Sequence, residues 1–308
     1  MKNRLFAWIK IIRPPIVLIS CLGAVVGALN TAVFLDINLS GFQVFMVLLG
    51  AGFLAAGLMV HNDVTDLNSD KINRPHKPLP SGLIGVKTAY ITGLILMILS
   101  IFVALTINLK DEGHLNWYCG VFTTILVVIG IYYNHYGKYH GIIGHIAVAF
   151  GVGAIPYWGS IAVFSKNYLL MLPLAVAIFT QEIGREIMVC AGDFTGDLKS
   201  GFKTIPVKLG RKKAMYIALL FYLAFIPIYP LPAFNWTGLD IPQIFGSVYL
   251  IGGTLFAISL LLTWLLTYRV VLQNNEKKIW AAFERYERTG TRVMVIVFQL
   301  FLLLEVFY

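Results

Sequence analysis

Apolar residues run in long, nearly unbroken stretches along this chain, and polar residues gather in short segments between them. An α-helix crosses the hydrocarbon of a bilayer with about 20 predominantly apolar residues. Nine segments reach or approach that length: 15–35, 42–61, 88–108, 117–134, 142–164, 167–190, 213–235, 245–268 and 292–308. Stretches such as Leu94–Leu105 and Ile251–Leu266 are continuously apolar, whereas the strands of an outer-membrane barrel alternate. The pattern predicts an all-α integral membrane protein with nine transmembrane helices in a single bundle, residues 1–308 forming one domain.

Composition agrees with that pattern: 58% of residues are hydrophobic and 13% charged, far from the balance of a soluble domain. Charge then orients the bundle. Nearly all of the 24 Lys and Arg residues fall in or beside 1–14, 62–87, 135–141, 191–212 and 269–291, against only Lys110 and Lys166 on the opposite face. The positive-inside rule places the N-terminus inside and Tyr308 outside. The net charge of +9 is thereby a topology signal spread over five loops, and no nucleic-acid partner is implied. The first apolar run is long enough to span, so it is expected to stay in the mature chain. Cys21, Cys119 and Cys190 sit in or beside apolar stretches, as packing residues do.

Five of the eight aspartates lie in two short clusters at the inside ends of predicted helices. The first cluster is Asn62, Asp63, Asp66 and Asp70. A helix continued through it puts Asn62, Asp66 and Asp70 within an arc of roughly 80°, with Asp63 just beyond the edge. The second cluster is Asp193 and Asp197, and the same arithmetic sets Glu182 and Glu186 with them inside roughly 60°. Carboxylates within a membrane helix usually face an interior cavity or a partner. Aspartates at helix ends also act as caps, and Arg185 offers the glutamates an ion pair, so each cluster alone leaves two readings open.

Two carboxylate clusters suit Mg²⁺, which takes oxygen ligands and commonly shares them with substrate phosphates. Each cluster is followed by cations: Arg74 and Lys77 after the first, Lys199 and Lys203 after the second. Acid for a metal and base for a phosphate therefore occur in the same order twice. Tyr132, Tyr133, Tyr136 and Tyr139 gather about one inside loop, as either a cation-stabilising aromatic group or an interfacial belt. His135, His140 and His145 recur at five-residue intervals, unlike helical zinc ligands, and read as interfacial polar residues; His61 and His76 flank the first aspartate cluster.

The string N-D-x-x-D-x-x-x-D at 62–70, followed by K-I-N-R-P-x-K-P-L-P-S-G at 71–82 and by D-x-x-x-D-x-x-x-G-x-x-T-I-P at 193–206, resembles the UbiA family of intramembrane prenyltransferases. An R-P-P at 13–15 and a Tyr-to-Lys loop at 133–138 extend the resemblance over the chain. It implies a Mg²⁺-dependent transfer of a polyprenyl group from an allylic prenyl diphosphate to a lipophilic acceptor, with diphosphate released. Asn62, Asp66, Asp70, Asp193 and Asp197 would hold two Mg²⁺ ions. Arg74, Lys77 and Lys138, with Lys199 and Lys203, would contact the diphosphate, and Tyr133 and Tyr139 the acceptor or the developing cation. The segment at 70–82 and the R-E-I before the second motif look similar to the archaeal ether-lipid branch, whose acceptor is geranylgeranylglyceryl phosphate. Val189-Cys190-Ala191-Gly192 departs from that branch and keeps an aromatic quinone precursor open as acceptor. The implied setting is a prokaryotic cell membrane with the site near the cytoplasmic face and no required protein partner.

Two other classes use similar ingredients. The membrane CDP-alcohol phosphotransferases also cluster aspartates about Mg²⁺, but their D-G-x-x-A-R start is missing here. A cation transporter places carboxylates near the bilayer midplane, whereas both clusters here sit at one face beside basic residues.

Overall fold

The computed structural model describes residues 2–163, 169–235 and 242–307, all of which form helices and the turns between them. Lys166 and Tyr308 lie outside the described residues. Helix α1 (Lys2–Ile12) precedes α2 (Pro14–Phe34), α3 (Gly41–Thr65), the short α4 (Leu67–Asn73), α5 (Val86–Thr106), α6 (Leu109–Glu112) and α7 (Trp117–His135). There follow α8 (Ile142–Val163), α9 (Leu172–Gly192), the short α10 (Phe194–Lys199) and α11 (Ile205–Leu209), then α12 (Arg211–Ile228) and α13 (Ser247–Val271). The last arm joins α14 (Glu276–Ala282), a wide π-type segment (Phe283–Gly290) and α15 (Thr291–Leu304).

Local chemistry sets several of these boundaries. Ser40 Oγ accepts from Gln43 N and Gln43 Oε1 accepts from Ser40 N, both at 3.1 Å, a reciprocal cap that starts α3. Pro14 and Pro15 open α2, where a missing N–H costs nothing. Arg13 just before them has φ 57, and this left-handed residue turns the chain between α1 and α2. Within 1–14, expected as an inside loop, the chain forms α1, whose Ala7 and Ile11 are buried while Leu5, Phe6 and Ile9 are exposed. That two-sided character suits a helix lying along a membrane surface.

Among the described residues eight helices are long and apolar enough to cross a membrane: those at Pro14–Phe34, Gly41–Thr65, Val86–Asp111, Trp117–His135, Ile142–Val163, Arg211–Ala233, Ser247–Val271 and Glu276–Phe307. The expected sixth span corresponds to α9, which has 21 residues but differs from the eight in carrying Glu182, Arg185 and Glu186. The final span begins well before the expected 292, because the polar stretch 276–290 is helical and continuous with α15.

Packing follows the rules of helices in hydrocarbon, where small residues permit close approach and no water drives association. At the crossing of α2 and α8, a side chain on Gly27 would strike the Pro156 carbonyl, and one on Gly159 the Ala24 carbonyl. Thr31 Oγ1 donates to Ser160 Oγ at 2.7 Å across the same contact. Outward-facing Ile98, Phe102, Val128, Leu220 and Ile251 present an apolar exterior. Among the described residues all three cysteines are free, Cys119 and Cys190 buried.

Candidate active site

Both aspartate clusters lie where a long helix hands over to a short one. Asp66 separates α3 from α4 with φ −84 and ψ 1, and Asp193 separates α9 from α10 with φ −88 and ψ 5. The expected unbroken helix is thus interrupted at one residue in each case. The amide bonds nevertheless carry through: Asp66 N donates to Asn62 O and Asp70 N to Asp66 O, as Asp193 N does to Val189 O and Asp197 N to Asp193 O. Each junction therefore keeps the helical phase closely enough for aspartates four residues apart to stay on one side.

The two junctions pack on each other through α4 and α10. Ser69 Oγ donates to Asp197 Oδ1 at 3.1 Å and Asn73 Nδ2 to the Asp193 carbonyl at 3.1 Å. Gly196 makes this approach possible, since a Cβ there would collide with the Asn73 amide. Asn62, Asp66, Asp193 and Asp197 all line one cavity of about 330 Å³. Asp70 is buried beneath it, bound by Lys77.

The cations predicted after the first motif converge here. Lys138 Nζ lies 2.6 Å from both Asp66 oxygens. Lys77 Nζ donates to Asp70 Oδ2 at 2.7 Å and Asp63 Oδ1 at 3.0 Å. Arg74 reaches Asp193 Oδ1 at 2.5 Å, joining the two motifs. Asp63 points away from the cavity lining and pairs with Arg13 as well as Lys77. Burial would raise the Asp193 carboxyl, but the Arg288 and Arg74 guanidiniums hold it well below the usual carboxylate range. Burial pushes Asp197 the other way and its neighbours Asp193 and Asp66 add to the shift, against the opposing charge of Lys138.

The second pair of cations does not join them. Lys199 and Lys203 are exposed and take no part in the cavity wall, because α10 turns its aspartate inward and its lysine out. Lys203 acts through its backbone instead, its N–H donating to the Lys138 carbonyl at 2.7 Å. Their place is filled by Arg288, which donates to Asp193 Oδ2 at 2.7 Å from the π-type segment. Arg13 and Arg292 also line the cavity. Arg13 enters the sequence reading only through the R-P-P at 13–15, Arg292 opens the expected span 292–308, and Arg288 is hidden because 269–291 reads as an ordinary positive inside loop; its helical continuity with α15 is a tertiary fact.

The tyrosines divide. Tyr133 lines the cavity and donates to Glu186 Oε1 at 2.6 Å. Tyr139 is exposed, edge-on to Phe202, and Tyr132 bonds His140 Nδ1 at 2.7 Å, both away from the aspartates as an interfacial belt would be. Glu182 and Glu186 face the cavity as the helical arithmetic required, and Arg185 pairs with Glu182 and, at 3.5 Å, with Glu287. His145 is buried rather than interfacial, accepting from Ile205 N at 3.4 Å. His61 is also buried, against the Asn134 amide at 2.9 Å, and His76 is exposed.

A hard divalent cation fits this donor set. The carboxylates of Asp66, Asp193 and Asp197 supply oxygen only, and Asn62 Nδ2 is committed to Asn134 Oδ1 at 3.0 Å, leaving the Asn62 amide oxygen as ligand. Beyond this polar end, the cavity wall becomes apolar along successive turns of its helices. On α3 the lining residues are Leu58, Ala55 and Ala51, and farther in stand Trp158, Phe225 and Phe256. From Asp193 to Leu174 on α9 the lining spans about 28 Å of helix. The arrangement can grip an anionic, metal-bound headgroup at one end and a long hydrocarbon at the other.

The profile of the UbiA prenyltransferase family matches residues 17–289. A digeranylgeranylglyceryl phosphate synthase of Thermococcus gammatolerans is 35% identical over 228 residues, covering 72% of this chain and 78% of the relative. A solved structure of a digeranylgeranylglyceryl phosphate synthase superposes with a TM-score of 0.67 at 25% identity, covering 99% of both chains. A UbiA homologue from Archaeoglobus fulgidus bound to GPP and Mg²⁺ shares the fold with a TM-score of 0.68 at 15% identity, over 98% of this chain and 100% of the other. With the family profile spanning both aspartate junctions and the cavity between them, this chain belongs to the UbiA prenyltransferase family.

Proposed function

We propose that this protein transfers a polyprenyl group from an allylic prenyl diphosphate to the free hydroxyl of a prenylated glyceryl phosphate, using two Mg²⁺ ions. One observation carries the reading: two aspartate-bearing helix junctions, tied by Ser69 and Asn73, share a single cavity whose far end is apolar. The relative from Thermococcus gammatolerans, named for this product, and the Archaeoglobus fulgidus homologue with GPP and Mg²⁺ support the choice of substrates and metal.

In this reading Asn62, Asp66, Asp70, Asp193 and Asp197 hold the metal, while Arg74, Lys77, Lys138 and Arg288 stabilise the diphosphate. Bound Mg²⁺ supplies charge neutralisation for the leaving group. The cations that rest on the carboxylates are within reach of diphosphate oxygens once the metal takes the carboxylates. The allylic carbon–oxygen bond breaks with its electron pair going to the diphosphate. The acceptor oxygen forms the new carbon–oxygen bond, and its proton leaves with the diphosphate. Tyr133 presents an aromatic face beside the polar end, and the apolar wall excludes water from an allylic cation.

The same reading makes α9 a ninth transmembrane helix. Its charged residues turn toward the cavity rather than lipid, which removes the usual objection to them. With nine spans, the N-terminus lies inside, the C-terminus outside and the aspartates at the cytoplasmic face of a prokaryotic cell membrane, residues 1–308 forming one domain. The loops that carry the basic residues meet at the aspartate end, through Arg13–Asp63, Lys138–Asp66 and Arg288–Asp193, which supports that orientation.

The test is diphosphate release by the purified protein with geranylgeranyl diphosphate and Mg²⁺, offered geranylgeranylglyceryl phosphate in one reaction and an aromatic quinone precursor in another. Release with the glyceryl phosphate alone, abolished by EDTA, is the expected result. Release with only the aromatic acceptor would keep the donor site and overturn the acceptor.

A further inference from the structure

Four arginines reach the cavity from the side of α2, α9 and the last arm, and three have carboxylate partners: Arg13 with Asp63, Arg185 with Glu182 and Glu287, Arg288 with Asp193. Arg292 differs. It lines the cavity, yet among the described residues it has neither a hydrogen bond nor an ion pair. Its electrostatic surroundings are mostly of its own sign, with Arg185, Arg13 and Arg288 set against the single opposing charge of Glu287. An unpaired guanidinium in the wall of a membrane cavity is costly unless an anion meets it there.

Two other polar groups of the cavity wall are also unsatisfied. Thr291 Oγ1 and Gln181 Oε1 have no partner among the described residues, although both side chains are 3% exposed and both line the cavity. Buried hydroxyls and amides without partners are rare in native structures and mark a site for a polar ligand. These groups are not part of the aspartate cluster. On α15, Arg292 sits one turn deeper than Arg288, about 6 Å further from the Asp193 contact. On α9, Arg185 lies two turns deeper than Asp193, about 12 Å along the helix.

We infer that Arg292, with the adjacent Thr291 hydroxyl, forms a second anion subsite that binds the phosphate monoester of the acceptor and so selects a phosphorylated alcohol over a neutral one. The inference rests on the acceptor reading above and adds the residues that recognise it. Its chemistry matches the placement. In a glyceryl phosphate the nucleophilic hydroxyl and the phosphorus are separated by only two carbons and an ester oxygen. An acceptor phosphate one turn from the diphosphate therefore leaves the hydroxyl near the donor's reacting carbon. The guanidinium offers paired donors to phosphate and the Thr291 hydroxyl a third.

The experiment compares wild type, Arg292→Gln and Arg292→Lys with geranylgeranylglyceryl phosphate and with the same lipid lacking its phosphate, measuring KM for acceptor and donor separately. Arg292→Gln is expected to raise KM for the phosphorylated acceptor by about tenfold or more, to leave the donor KM and the dephosphorylated acceptor unchanged, and to be partly rescued by Arg292→Lys. Excess anionic diacyl phospholipid should compete weakly or not at all, distinguishing an acceptor phosphate from a bilayer headgroup. An equal loss with both acceptors, a raised donor KM, no change with the phosphorylated acceptor, or strong competition by phospholipid overturns the subsite. Wild-type turnover of an aromatic acceptor only would instead overturn the underlying acceptor reading and this inference with it, and that result is read before any variant is made.

Discussion

Ser69 Oγ donates to Asp197 Oδ1 at 3.1 Å, so the first aspartate motif holds a cavity-lining carboxylate of the second in place. A hydrogen bond to a charged group contributes about 1.5–3 kcal/mol when buried. Ser69→Ala removes that restraint without touching a ligand. The expected outcome is about a tenfold rise in the Mg²⁺ concentration for half-maximal diphosphate release, with a much smaller change in the rate at saturating Mg²⁺. Asn73→Ala, which frees the Asp193 carbonyl on the same contact, should act in the same direction. Titration of activity against Mg²⁺ for each variant decides it.

The carboxylates themselves should be far less tolerant. Asp66→Asn and Asp193→Asn each replace a proposed oxygen ligand and also release a cation, Lys138 in one case and Arg74 with Arg288 in the other. Both losses act on the charge that develops as the diphosphate departs, so activity should fall by about a hundredfold or more for each variant. Normal activity in either variant would remove that residue from the metal site. Donor binding measured with and without Mg²⁺ separates lost affinity from lost turnover.

The lysines give a sharper contrast, since the sequence puts Lys199 and Lys203 beside Lys77, and beside the Lys138 that the resemblance adds, as expected diphosphate contacts. Lys138→Ala removes an ammonium 2.6 Å from Asp66 and should cost about a hundredfold in turnover. Lys199→Ala and Lys203→Ala alter exposed side chains outside the cavity wall and should stay within about twofold, as surface charges do. Lys203 is a useful control because its backbone N–H, which the alanine keeps, is the part that holds the Lys138 carbonyl.

That contrast also marks how far the sequence could be read. Helical spacing was enough to put Asn62 with Asp66 on one face and Glu182 and Glu186 with Asp193 on another, because an apolar run long enough to span fixes both the helix and its phase up to the last turn; that the two faces meet is a fact of the fold. It was not enough past Asp66 and Asp193, where the chain leaves one helix and starts another, and the side on which α10 presents Lys199 depends on that break. Arg288 and Arg292 were hidden for a different reason. Arg288 lies in a polar, basic segment, which in a membrane protein predicts an inside loop, Arg292 stands at the very start of the expected last span, and only the docking of the last arm turns them into the cavity. Tyr133 and Tyr139 could not be told apart for a related reason: one lies on the cavity side of α7 and the other beyond its end.

The last prediction concerns what holds the cavity open. Its wall includes α2 and α8, which meet with so little space that a methyl on Gly159 would overlap the Ala24 carbonyl, and a methyl on Gly27 the Pro156 carbonyl. Both obstacles are backbone, so neither can rotate aside. Gly159→Ala must push the helices apart, costing about 1–3 kcal/mol of packing and opening the crossing that Thr31 and Ser160 bridge at 2.7 Å. Gly41→Ala, where nothing lies within 4 Å of the added carbon, is the matched control for the loss of a glycine. Thermal unfolding of the two variants in one detergent should show a lower midpoint for Gly159→Ala and none for Gly41→Ala. Equal midpoints would mean that the helices can separate freely, and the cavity's shape would then owe little to this crossing.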